Sequence, residues 1–469
     1  MAQYDIGIIG GGPGGYVAAI RAAQLGLRVV LFEKDRVGGR CLNWGCIPSK
    51  ALLRNADVVN LVRDAAKWGI GGVDDATFDL GIAVDRSRKV VEQLVGGVES
   101  LLKGAGVTVV TGEASFIAGD RIRANGEEYG VTNAIIATGA TTRMLPGVVV
   151  DGTVVLTSHE ALLVRTPPAR AIVIGAGPVG VEFAHTWASY GSRVTIVEMM
   201  DTLVPLEDPD MGLLLQRSFQ SRGIDSMLKT KVESVSVEGS TAAVAVSKDG
   251  ATQMLSADAV LIAIGFKPHT EGLNVEAAGV AMERGFVTID DAMRTNIPNI
   301  YAIGDVTGKL MLAHVAMQQG VIAAERIAGK TPPALDYVQM PHAIFCQPQI
   351  ASIGLMDSQA RAAGYAVKVG RFPFSALGKA IAVGQTEGFA KIVADEKTGQ
   401  VLGVHLIGHD VNELLGEASL AALLEATTVE LGFAVHAHPT LADALKDAAL
   451  AADGEAIHIA RRRPARPPK

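Results

Sequence analysis

Cysteine is scarce in this chain: 469 residues carry three, Cys41, Cys46 and Cys346. A secreted scaffold held by disulfides needs more, so the count suits a reducing compartment, with the cytoplasm as the default. No uninterrupted apolar run reaches the roughly 18 residues that a membrane span requires, and the expectation is a soluble protein with no membrane partner. Positive charge is not in excess either. The net charge of −7 argues against nucleic acid as a partner of the body of the protein. The one basic cluster, Arg461 to Lys469, is proline-rich and terminal and reads as a solvated tail. No signal or transit peptide is expected, because Tyr4 to Ile9 already reads as a strand. No metal site is expected.

What is present is ample core material. Hydrophobic residues make up 49% of the chain, and its length exceeds what one core holds, so roughly two to four domains are expected. Two of the three thiols stand in the run Gly38-Gly39-Arg40-Cys41-Leu42-Asn43-Trp44-Gly45-Cys46-Ile47-Pro48-Ser49-Lys50. On a regular helix, residues five apart lie roughly 8 to 9 Å apart, beyond the roughly 7 Å that a disulfide spans between Cα atoms. The pair therefore needs a break in the helix, which Gly45 can supply. Pro48 suits a first helical turn. The sequence predicts an irregular segment feeding a helix that starts near Pro48, with Cys46 at its N-terminus, where the helix dipole favours a thiolate. Cys346 reads as a packed structural thiol.

A second pattern occurs twice. Asp5 to Ile9 is an apolar strand running into Gly10-Gly11-Gly12-Pro13-Gly14-Gly15, a helix to about Leu25, and a strand Arg28 to Phe32 ending in Glu33. Ala171 to Ile174 runs into Gly175-Ala176-Gly177-Pro178-Val179-Gly180, a helix to about Tyr190, and a strand Arg193 to Val197 ending in Glu198. In such a unit the first glycine makes the turn, the second admits a pyrophosphate, and the third packs helix on strand. The acidic strand end accepts from a ribose and repels the extra phosphate of NADP, so Glu198 points to NAD. Strands closed by small residues follow at Asn133 to Gly139, Ala259 to Gly265 and Ile300 to Gly304, the last with Asp305 just beyond, placed to bind a polyol or to form a turn. Beyond about residue 340, strands at Ala390 to Ala394 and Val401 to Ile407 and a helix from about Asn412 to Ala426 read as an α+β domain.

With these motifs the sequence resembles the class I flavoprotein disulfide reductases, and among them the dihydrolipoamide dehydrogenase family, to about residue 450. The Cys41 to Lys50 run, Tyr301-Ala302-Ile303-Gly304-Asp305-Val306, Leu312-Ala313-His314-Val315-Ala316 and His436-Ala437-His438-Pro439-Thr440-Leu441 carry the likeness. The resemblance implies an α/β fold with two Rossmann-like domains and a C-terminal α+β dimerisation domain. Its parts would be an FAD domain at 1–148 and 268–338, an NAD domain at 149–267, an interface domain at 339–455 and the tail at 456–469. FAD and NAD would be the cofactors, and the protein a homodimer.

The resemblance also implies roles. Cys41 is matched to the thiol that exchanges with a lipoyl group and Cys46 to the thiolate beside the flavin. Lys50 lies near the flavin, with Glu182 as its partner. Gly10, Gly12, Gly15, Glu33, Thr138, Gly139, Asp305, Met311, Leu312, Ala313 and His314 match FAD contacts. Gly175, Gly177, Gly180, Glu198, Val232 and Gly265 match NAD contacts. His438 matches the base, supplied across the dimer. The implied reaction is NAD-dependent oxidation of dihydrolipoyl groups, with lipoyl domains and the acyltransferase core of 2-oxo acid dehydrogenase complexes, or a glycine cleavage complex, as partners.

Three positions depart from the family. Asp443 stands where a glutamate usually supports the histidine, and a side chain one methylene shorter implies a weakened contact or a shifted backbone. Arg40 replaces a small or apolar residue, and Phe266-Lys267-Pro268-His269 varies the pattern. Rivals are sister reductases and a non-catalytic flavin-bound scaffold. Glutathione-type enzymes carry arginines where this chain has Val197-Glu198-Met199-Met200, and no cysteine follows Cys346 to form the C-terminal pair of mercuric or large thioredoxin reductases. Soluble transhydrogenases generally lack the first thiol. Retention of Cys41, Cys46, Lys50 and His438 argues against a scaffold.

Overall fold

Strand β1 (Ala2–Ile9) lies parallel between β2 (Val29–Glu33) and β6 (Glu127–Ile136). Its Ile6 and Ile8 are fully buried because both faces of the sheet are covered. Strands β3 (Thr108–Thr111), β4 (Ala114–Ala118), β5 (Arg121–Ala124) and β19 (Ile300–Ala302) complete a seven-stranded sheet. Helices α1 (Pro13–Gln24), α4 (Leu80–Gly104) and α8 (Ala313–Ile327) share one hydrophobic cluster with Ile6, Ile8 and Leu31. Helices α1 and α8 approach so closely that a Cβ on Gly320 would sit 2.5 Å from the Gly14 carbonyl oxygen. The redox run forms α2 (Gly39–Trp44) and α3 (Cys46–Arg63). The computed structural model describes residues 2–460, so most of the expected basic tail, from Arg461 on, lies outside the described residues.

A second, parallel sheet has the order β11-β10-β9-β15-β8, made of β8 (Val155–Leu156), β9 (Arg170–Ile174), β10 (Arg193–Val197), β11 (Ile224–Met227) and β15 (Ala259–Ile262). Helices α5 (Ser158–Ala161), α6 (Pro178–Ser189) and α7 (Pro209–Ser221) accompany it. An antiparallel sheet of β12 (Lys231–Glu238), β13 (Thr241–Lys248) and β14 (Ala251–Ala257) packs its Val244 and Val246 with Ile172 and Ile174. The chain enters and leaves this unit through a two-stranded ribbon, β7 (Ala140–Thr142) against β16 (Phe266–Pro268). A short hairpin, β17 (Met282–Glu283) and β18 (Phe286–Val287), follows.

The last sheet is wholly antiparallel, in the order β20-β21-β24-β23-β22: β20 (His342–Ile344), β21 (Gln349–Gly354), β22 (Val367–Pro373), β23 (Phe389–Asp395) and β24 (Val401–Gly408). Helices α9 (Asp357–Ala362), α10 (Gly378–Ala382), α11 (Leu415–Leu423), α12 (Thr428–Phe433) and α13 (Asp443–Ala452) flank it. Its tie to the second unit is polar: Lys391 of β23 donates at 2.7 Å to Asp208, the fully buried N-cap of α7, and at 3.1 Å to Asp357. Among the described residues no helix is long and apolar enough to cross a membrane.

Candidate active site

The redox run is helical on both sides of a single break. The expected irregular segment is instead the short helix α2, and α3 starts at Cys46, two residues before Pro48. Proline in the third helical position asks for no hydrogen bond that the first turn would have made, so the helix needs no later start. Gly45 (φ −152°, ψ −109°) is the break, and a Cβ there would come within 3.0 Å of the Arg40 carbonyl oxygen. The buried Asn43 amide donates to the carbonyls of Val37 and Gly39 and pins α2. Cys46 thus opens an 18-residue helix, and Cys41 hydrogen-bonds to it. That bond, chiefly, holds Cys46 down to about 7, with the Lys50 charge assisting and burial opposing; the same bond pushes Cys41 up. That lowering fits Cys46 to the thiolate role in a reduced pair.

Lys50 follows Cys46 by one turn of α3 and so shares its face. Its Nζ stands 2.8 and 2.9 Å from the two oxygens of Glu182 on α6. Glu182 is 6% exposed and also accepts the Phe345 backbone N–H at 3.0 Å, while the Phe345 ring lies 4.6 Å from Lys50 Nζ. Phe345 escaped the sequence reading; its only signal was adjacency to Cys346, which is fully buried and has its thiol pushed up by burial.

Both glycine turns have the same internal logic. Cβ atoms on Gly10 and Gly15 would fall 2.3 and 1.8 Å from the carbonyl oxygens of Ala137 and Gly10, and on Gly175 and Gly180 2.4 and 2.0 Å from those of Ala263 and Gly175. The middle glycines differ. A Cβ on Gly177 would meet nothing within 4 Å, and one on Gly12 only Gly39 Cα at 4.0 Å, and both have ordinary negative φ. Neither packing nor backbone asks for glycine there, so its bareness serves an external group, which fits a dinucleotide at each helix N-terminus. The acidic strand ends are matched too. Glu33 accepts from the N–H groups of Gly11 and Asp35, and Glu198 from those of Ala176 and Met200, all at 2.7 to 2.9 Å.

The first sheet gathers Gly10, Gly12, Gly15, Glu33, Thr138, Gly139 and Asp305 at the ends of β1, β2, β6 and β19. Thr138 Oγ1 is buried without a partner. Asp305 has its carboxyl pushed up to about 6 by burial, with Arg40 opposing and no hydrogen bond among the described residues. Such unmet polar groups fit a polyol-bearing cofactor. Met311 and Leu312 lead into α8, which opens at Ala313, and His314 Nε2 bonds the Pro341 carbonyl at 2.8 Å. A cavity of about 470 Å³ lined by Glu33, Arg36, Lys103, Val109 and Thr111 continues from the end of β2. In the second unit Gly175, Gly177, Gly180, Glu198 and Gly265 collect at the ends of β9, β10 and β15, and Val232 lies half-buried on β12.

His438 stands apart from the dithiol, on the interface domain, with its side chain 76% exposed. Its Nδ1 donates to Asp443 Oδ2 at 3.0 Å, and the same oxygen accepts the Thr440 N–H at 3.2 Å. Of the two expected outcomes, a weakened contact or a shifted backbone, the contact is not weakened: Asp443 is the first residue of α13, whose start lies close enough for the shorter side chain. A carboxylate only accepts, so Nδ1 carries the hydrogen and Nε2 is left free as a base. His436 is anchored at 2.8 Å to Glu417 of α11. Near them Leu420, Leu423, Val429, Phe433 and Val435 are each more than half exposed, an apolar area suited to a second subunit.

A dithiol at a helix N-terminus between two dinucleotide turns defines a flavin-linked disulfide oxidoreductase. Residues 4–320 match the pyridine nucleotide-disulphide oxidoreductase family and residues 340–449 its dimerisation domain. The dihydrolipoyl dehydrogenase of Mycobacterium tuberculosis is 49% identical over 455 residues, covering 95% of this chain and 97% of the relative. That of Bacillus subtilis is 43% identical over 97% of this chain and 99% of its own. Among solved structures, LpdA of Mycobacterium tuberculosis superposes with a TM-score of 0.89 at 29% identity, over 96% of this chain and 99% of its own. The flavoprotein disulfide reductase RclA of Escherichia coli gives 0.85 at 30%, over 95% and 99%. The chain belongs to the pyridine nucleotide-disulphide oxidoreductase family. It is an oxidoreductase whose cofactors are FAD and NAD, and it forms a homodimer.

Proposed function

We propose that the chain oxidises protein-bound dihydrolipoyl groups with NAD, as a dihydrolipoamide dehydrogenase serving the lipoyl domains and acyltransferase core of a 2-oxo acid dehydrogenase or glycine cleavage complex. The observation that carries this reading is the pairing of a Cys41–Cys46 dithiol with an exposed, carboxylate-supported His438 on a dimerisation domain, in a chain 49% identical to curated dihydrolipoyl dehydrogenases.

FAD, held by the first glycine turn and Glu33, would supply the acceptor for the electron pair of the reduced dithiol and the hydride for NAD. The residues do the rest. His438 of the partner subunit takes the proton of one lipoyl thiol at Nε2, and Asp443 stabilises the resulting imidazolium. The lipoyl thiolate attacks Sγ of Cys41 in the Cys41–Cys46 disulfide, forming a mixed disulfide and releasing Cys46 as thiolate, which the helix N-terminus and Lys50 stabilise. The second lipoyl thiol gives up its proton and attacks the lipoyl sulfur of the mixed disulfide, closing oxidised lipoamide and expelling the Cys41 sulfur, which takes up a proton. Two lipoyl thiols are oxidised and one enzyme disulfide is reduced, so electrons balance. Glu182 and the Phe345 ring hold Lys50 in place.

The deciding assay compares NAD reduction by dihydrolipoamide with NADPH oxidation by glutathione disulfide. Preference for the first supports the reading, and preference for the second would assign the site to a sister reductase.

A further inference from the structure

Arg40 and Phe266, two positions at which the sequence was read as departing from the family it resembles, touch one another. Arg40 Cζ lies 4.9 Å from the centre of the Phe266 ring, although the two are far apart in sequence. A guanidinium stacks well on an aromatic face, and the stack fixes its plane. The Arg40 backbone is fixed as firmly, because the preceding Gly39 packs on the phosphate turn so tightly that a Cβ would come within 2.6 Å of Gly12 Cα. Arg40 Nη1 reaches Thr142 Oγ1 at 3.4 Å, on the ribbon that follows Thr138 and Gly139. Asp305 faces it by charge, as does Glu160 at greater remove. Lys34 adds a second cation on this side, 3.3 Å from His269.

The guanidinium thus sits on the β7–β16 ribbon and faces Asp305 by charge, and its backbone follows directly on the Gly39 contact with the α1 turn. Yet among the described residues it makes no hydrogen bond to a carboxylate and only one, long, to a hydroxyl. A half-buried guanidinium with unspent donors, beside a turn built for phosphate, asks for an anion. We propose that Arg40 is a ligand of the FAD diphosphate, held on Phe266 so that its fork adds a charge-assisted contact to those from the α1 N-terminus. Phe266 is then a positioning residue for that contact. The two departures act as one unit: the ring has a role because the arginine is there.

This rests on FAD occupying the first site, and the test separates the two. The holoenzyme is diluted at low and at high sodium chloride, and release of FAD is followed by flavin fluorescence. Arg40→Thr should release FAD at least tenfold faster at low salt and lose most of the wild type's acceleration by salt, because the screened charge is gone. Arg40→Lys should fall between, and Phe266→Leu should release faster while keeping the salt dependence. Thermal unfolding of the apoproteins should be unchanged. Release rates and salt dependence equal to wild type in Arg40→Thr would overturn the proposal, as would an apoprotein destabilised as much as the holoprotein. Should Arg40→Thr not fold, Arg40→Gln is compared with Arg40→Lys, and equal release from both overturns it equally. A wild type that holds no FAD would instead overturn the cofactor assignment itself.

Discussion

Lys50 and Glu182 join three parts of the molecule at one point. The lysine comes from the helix that Cys46 opens, the glutamate from the helix that follows the second glycine turn, and the backbone N–H of Phe345, which Glu182 also accepts, from the interface domain. A single carboxylate with 6% exposure thereby sets the position of the cation beside the thiolate.

Removing that carboxylate should therefore act on stability and on redox chemistry together. Glu182→Gln keeps an acceptor for Phe345 but leaves Lys50 without an opposite charge; Glu182→Leu removes both. Lys50 is 30% exposed, so solvent compensates in part. The expected loss is about 1 kcal/mol for Gln and about 2–3 kcal/mol for Leu, read as thermal midpoints of the holoenzyme. Midpoints unchanged in Glu182→Leu would show that the three parts are held together elsewhere.

The dithiol should titrate as its hydrogen bond dictates. Cys46 is lowered to about 7, first by the bond from Cys41. The thiolate is the deprotonated form, so about nine-tenths of it should be present one pH unit above that value and about one-tenth one unit below. The long-wavelength thiolate-to-flavin absorbance of the reduced enzyme should fall accordingly as pH drops through about 7. Cys46→Ser should abolish the band. Cys41→Ser should keep it, with the midpoint moved upward, and should lose lipoyl exchange. Full dihydrolipoamide activity in Cys41→Ser would reverse the two roles.

Cofactor choice should follow Glu198. Both its oxygens already hold backbone N–H groups of the turn, so the side chain is fixed at the end of β10 and cannot swing away from an added phosphate. Placing like charges together there costs several kcal/mol, so kcat/KM for NAD should exceed that for NADP by about 100-fold or more. Glu198→Gln should narrow the gap by about tenfold. Equal use of both nucleotides by the wild type would remove Glu198 from this role.

Much of this was legible in the sequence, for local reasons. Strand, glycine turn, helix and acidic strand end follow one another within some thirty residues, and each is set by short-range sterics, so Gly10 to Glu33 and Gly175 to Glu198 read directly. His438 and Asp443 are close in sequence and meet because Asp443 opens α13 within reach of the imidazole. What did not read is long-range. The Lys391–Asp208 tie joins residues 183 positions apart and Phe345–Glu182 residues 163 apart. Nothing local marks either. The start of α3 reads to within two residues, near Pro48, because that proline does lie in the first helical turn; the glycine break at Gly45 sets the start at Cys46.

Asp443 is where sequence and structure differ most usefully. One methylene fewer than glutamate implies a weakened contact or a shifted backbone, and the contact is made at 3.0 Å, with the same oxygen holding the Thr440 N–H. The shorter acid is satisfied where it stands, so lengthening it gains nothing: Asp443→Glu has to fold its extra carbon away or push the imidazole outward. The expected order of kcat for dihydrolipoamide oxidation is wild type, then Asp443→Glu within about threefold, then Asp443→Asn, then His438→Ala. The asparagine accepts with less charge and leaves the tautomer less firmly set, a loss of about 10- to 100-fold. The alanine removes the base itself, worth about 10²- to 10⁴-fold. Steady-state NAD reduction across pH checks the order. A gain above wild type in Asp443→Glu would mean that the contact at 3.0 Å is not the working one.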